Sequence, residues 1–88
     1  MTIVKRYSTR QDNRLEQHEL QKLAANIMDY GKIESVTNHA FSTNKYSEKM
    51  QMIYNGGRCV AVSGFGMNYY IQFDGLKVTE IIEIREAN

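Results

Sequence analysis

Met67-Asn68-Tyr69-Tyr70-Ile71-Gln72-Phe73-Asp74-Gly75-Leu76-Lys77-Val78-Thr79-Glu80-Ile81-Ile82-Glu83-Ile84 is the stretch that decides the fold. Met67, Tyr69, Ile71 and Phe73 alternate with Asn68, Tyr70 and Gln72, the period of two that gives a strand one apolar face. Asp74-Gly75 then matches a two-residue type I′ turn, and Leu76, Val78, Ile82 and Ile84 carry the alternation onward. That register opposes Phe73 to Leu76, Ile71 to Val78, Tyr69 to Glu80 and Met67 to Ile82, so one face of an antiparallel hairpin faces a core.

Upstream, the period changes. Leu20, Leu23, Ala24, Ile27 and Tyr30 fall on one helical stripe, which predicts an amphipathic helix over 9–31. Ser8 with Gln11 and Asn13 with Glu16 compete as its start. Gly31 is placed to end it as a left-handed C′ residue. Residues 1–8 are β-prone and read as an edge strand or an arm, and residues 32–48 read as a connector holding at most one short element.

Between connector and hairpin, two readings stand. Met50, Met52 and Tyr54 alternate up to Asn55-Gly56-Gly57, and Arg58 to Ser63 alternates after it. A hairpin would thus set Met52 against Val60 and Met50 against Val62. The rival is a second helix over 43–54, with Tyr46, Met50, Ile53 and Tyr54 on its face and Gly56 as its cap. With the hairpin favoured, 49–85 is a β-meander. The fold class is α+β: one N-terminal amphipathic helix packed on a C-terminal antiparallel sheet of three to four strands.

Eighty-eight residues make one small domain, 1–88, with a thin core. Eleven Lys and Arg against ten Asp and Glu give a net charge of +1, which removes bulk electrostatics as an argument for nucleic acid or membrane. The longest clean apolar run is Cys59-Val60-Ala61-Val62, far short of the roughly 20 residues of a membrane span. A single Cys makes no internal disulfide, and Met1-Thr2-Ile3-Val4-Lys5-Arg6 lacks the apolar core of a secretory signal, so the cytoplasm is the expected compartment.

Three groups of residues stand out. Glu80 interrupts the apolar face opposite Tyr69, a pairing that would place a carboxylate and a phenol together in the core. The opposite face, with Tyr70, Lys77, Thr79 and Ile81, sets an aromatic beside an aliphatic and reads as a protein-binding face. Lys5, Arg6, Arg10 and Arg14, with only Asp12 against them, give residues 1–14 a net +3, a basic segment suited to an acidic protein surface or to phosphates.

Chemistry is poorly supplied. Cys59 lies in an apolar strand distant in sequence from His18 and His39, without the spacing of a zinc site or an activated thiol. Ser63-Gly64-Phe65-Gly66 lacks a phosphate-loop pattern and reads as a strand-to-strand turn. No catalytic residue, metal or cofactor is expected.

The expected function is therefore a small non-enzymatic binding protein that occupies a partner protein's surface, as an inhibitor or an adaptor. Compact phage and mobile-element proteins that block host systems offer an analogy of size and style. The alternative is an RNA or single-stranded DNA binder using the basic segment and an exposed Tyr70 on the sheet. A small enzyme built on Glu80, Tyr69 and a His is a distant third. Self-pairing of an edge strand would make the protein an isologous homodimer.

Overall fold

A computed structural model describes residues 1–10, 13–43 and 50–87, with the backbone alone at 38–43 and 50–57. The chain runs β1 (Thr2–Ser8), β2 (Asn13–Arg14), α1 (Gln17–Tyr30), β3 (Lys32–Thr43), β4 (Met50–Gly64), β5 (Met67–Asp74) and β6 (Lys77–Glu86). One helix lies on a six-stranded mixed sheet of order β2-β1-β6-β5-β4-β3, parallel between β1 and β2 and antiparallel elsewhere. The α+β class and the helix-on-sheet layering hold, but the strand count is six rather than three to four.

The extra strands come from segments whose periodicity is broken. Residues 32–43, expected to be a connector, form β3. Its register shifts between Ile33, which opposes Val62, and Ser35, which opposes Ala61. The extra residue brings Ile33 and Val36 to the same face although they are three apart, a helical spacing in a strand. Residues 1–8 are a strand rather than an arm: β1 pairs with β6 along its whole length, and β2 covers its outer edge only at Tyr7 and Ser8.

Asn55-Gly56-Gly57 does not turn the chain. β4 passes through it, and Met52 opposes Phe41 and Met50 opposes Thr43, not Val60 and Val62. Between the pairs Thr37–Cys59 and His39–Tyr54, β4 advances five residues while β3 advances two. The glycines thus lie in an irregular bulge, another setting that selects for backbone freedom. The rival helix over 43–54 is replaced by strand at Met50–Tyr54, and residues 44–49 of that reading lie outside the described residues.

The C-terminal hairpin exists, with its turn one residue later than expected. Asp74 opposes Lys77, leaving Gly75-Leu76 as the turn. Gly75 has φ +62° while Leu76 does not enter positive φ, the pattern of a type II′ turn rather than type I′. Leu76 is therefore 91% exposed instead of buried. A register shift follows: Phe73 opposes Val78 but Gln72 opposes Glu80, so Thr79 is an extra residue. Beyond it the alternation is inverted. Ile81, expected on the open face, opposes Ile71 and is fully buried beneath the helix.

The β4–β5 connection is the expected turn at Ser63-Gly64-Phe65-Gly66, with Phe65 at φ +58° and Gly66 at φ +72°. A left-handed Phe costs about 1–2 kcal/mol. Its ring meets Tyr69 edge-on, with centroids 6.4 Å apart, a contact worth about 0.5–1.5 kcal/mol that roughly offsets the strain.

The helix starts at Gln17, later than either expected signal, because the preceding residues have other partners. Asn13 Nδ2 donates to the Arg6 carbonyl and the Leu15 N–H donates to the Ser8 carbonyl, tying this segment to β1. Glu19 then accepts the Glu16 N–H at the first turn. Leu20, Ala24 and Ile27 are buried against Val60, Val62, Tyr69, Ile71, Val78 and Ile81, with Leu23 packed at the margin. Tyr30, the last residue of the expected stripe, is exposed.

Gly31 ends the helix for a reason other than handedness. Its backbone is extended (φ −92°, ψ 177°), not left-handed. A Cβ there would stand 2.5 Å from Val62 Cγ1 and 2.7 Å from the Ile27 carbonyl oxygen. The glycine is required by the close approach of the helix end to β4.

Where β1 ends at Ser8, β6 continues to Lys77 with no strand on that side among the described residues, and the helix takes β1's place. The Val78 N–H donates to Gln21 Oε1, and Gln17 Nε2 donates to the Val78 carbonyl at 2.9 Å and to Gln21 Oε1 at 3.0 Å. Gln21→Ala leaves the Val78 donor without this acceptor and should cost about 1–3 kcal/mol in urea denaturation, whereas Gln21→Glu, which keeps an acceptor oxygen, should cost less. Gly31→Ala should cost about 1–3 kcal/mol by overpacking.

Candidate functional site

The register sorts the expected site residues onto two faces. On the helix side lie Lys5, opposite Glu83, and Tyr7, opposite Ile81. Arg6 opposes Ile82 on the other face. Lys5 Nζ sits 5.7 Å from the centre of the Tyr7 ring. Arg6 Nε is 3.7 Å from Glu80 Oε1, a diagonal cross-strand pair. Arg14 turns to Glu16 at 3.9 Å, with both side chains well exposed. The basic segment is thus divided among different surfaces, and among the described residues it forms no continuous basic track.

Tyr69 and Glu80 are not a pair. Tyr69 is buried on the helix side opposite Glu83, and its hydroxyl lies 3.6 Å from Met67 Sδ. Burial raises its hydroxyl pKa, with the negative charge of Glu83 and then Tyr7 adding to the effect. Glu80 opposes Gln72 on the other face. Burial pushes its carboxyl above the ordinary glutamate value, and the charge of Arg6 works in the opposite direction. The bulge at Thr79 separates the two residues that an unbroken alternation would bring together.

The expected protein-binding face is divided in the same way. Ile81 belongs to the core, and Tyr70 is partly buried on the face away from the helix, opposite Ile82. Lys77 and Thr79 remain exposed, and they meet two other expected residues, Arg10 and Glu80. Together with Ser8, Thr9 and Gln17 these line a polar hollow of about 410 Å³ where the chain leaves β1 and β6 begins. Residues from all three groups therefore converge on one place, which follows from the antiparallel pairing that sets Ser8 against Glu80.

A second feature escaped the sequence reading. β3 is the outer strand on the far side of the sheet. Ile33 and Val36 oppose Val62 and Val60, both helix-facing core residues, yet they are 51% and 57% exposed. The helix covers the middle of the sheet and leaves this strip open. Tyr30, at the helix end, is also exposed. At its start, the Ser63 hydroxyl donates to Glu34 Oε1 at 2.7 Å, holding the bulged carboxylate. The signal that could have revealed it is the Ile33-x-x-Val36 spacing, legible only if a bulge is assumed.

Cys59 is buried in β4 and acts as a small core residue. Among the described residues no group of three or more His, Cys, Asp and Glu could hold a metal ion, and no helix is long and apolar enough to cross a membrane. No protein-family model, curated protein or solved structure matches this chain.

Glu80 has a measurable signature. A carboxyl that binds its proton more tightly in the folded than in the unfolded protein adds stability at low pH. That contribution is lost as pH rises from the ordinary value of 4.5 through the raised folded value. Glu80→Gln should therefore flatten the pH dependence of the urea midpoint in this range, its stability relative to wild type increasing with pH. A wild-type midpoint whose pH profile is unchanged by the substitution would show that Glu80 ionises freely.

Proposed function

We propose that this protein is a non-enzymatic binding protein, an inhibitor or an adaptor, that takes an extended segment of a partner protein onto the outer edge of β3. The observation that carries this reading is the exposure of Ile33 and Val36 on β3, the outer strand of the sheet among the described residues. An outer strand offers a row of backbone donors and acceptors, and a partner strand added there gains main-chain hydrogen bonds along its length. The aliphatic strip supplies the apolar contact that would set the register of the added strand. A segment with an aliphatic residue at alternate positions fits this surface.

The other side of the sheet is less suited to such addition. Beyond β2, β1 exposes an edge only from Thr2 to Arg6, and Lys5 and Arg6 interrupt it with charge. Charged residues and short edges are common protection against strand addition. β3 carries Lys32 and Glu34 at its start, but Ile33 and Val36 leave its apolar side open.

The double substitution Ile33→Lys/Val36→Lys tests this reading. Both side chains are half exposed, so the variant should keep its stability within about 1 kcal/mol of wild type. Extended peptides selected from a random library on the wild-type protein should protect alternate β3 amides from hydrogen exchange and lose binding to the variant. Selected peptides that protect another surface and bind the variant equally well would reject β3 as the docking edge. Concentration-dependent protection of the same amides without peptide would make the occupant a second copy of the chain.

A further inference from the structure

We draw no further inference here: the strongest candidate, the open groove of about 550 Å³ between β1 and α1 lined in part by Tyr7, Leu15, His18 and Leu23, is a partly apolar surface, and nothing in the structure shows what covers it.

Discussion

The backbone of Val78 holds the arrangement together. Ser8 is the last β1 residue to pair with β6, and an antiparallel strand stripped of one neighbour exposes polar groups that cannot be buried without partners. Gln17 and Gln21 reach across from the helix and satisfy both the N–H and the C=O of Val78. Two amide side chains thereby do the work of a strand. The helix is anchored by direction-specific hydrogen bonds as well as by the burial of Leu20, Ala24 and Ile27, and the position of its N-terminal end is set relative to β6.

The extra residue at Thr79 depends on the same anchoring. With Val78 held, Phe73 opposes Val78 while Gln72 opposes Glu80, and every later β6 side chain exchanges faces. Ile81 goes into the helix-side core. Glu80 goes to the far face beside Arg6, and Glu83 comes to lie opposite Tyr69. A one-residue insertion has this reach because side chains alternate with a period of two. It also brings Lys77, Thr79 and Glu80 to the place where Thr9 and Arg10 leave β1.

The parts legible in the sequence were those where hydrophobic period and geometry agree. The stripe of Leu20, Leu23, Ala24 and Ile27 gave the helix, and Met67, Tyr69 and Ile71 gave β5. Bulges account for most of what was not legible. Ile33 and Val36 share a face of β3 only because of a shift at Glu34, and their spacing imitates a helix. Asn55-Gly56-Gly57 has the composition of a turn, but glycine serves a bulge as readily. Gly31 does end the helix, but steric approach to Val62 rather than positive φ requires a glycine there. Tyr70 and Ile81 share no face because the alternation breaks at Thr79. Lys77, Thr79, Arg10 and Glu80 were each singled out, yet their convergence depends on the pairing of β1 with β6, which no local pattern encodes.

The polar hollow, lined in part by β6, and the β3 strip lie apart across the sheet, in an order that places β5 and β4 between them. This separation carries a physical consequence. The hollow is formed by charges and polar side chains and answers to ionic strength, because exposed charges are screened within about a Debye length of roughly 10 Å. The strip is aliphatic, and a strand added there as proposed would gain from removal of apolar area from water and from main-chain hydrogen bonds, which salt affects little. Strands β4, β5 and β6 are packed into one core through Val60, Ile71 and Ile81.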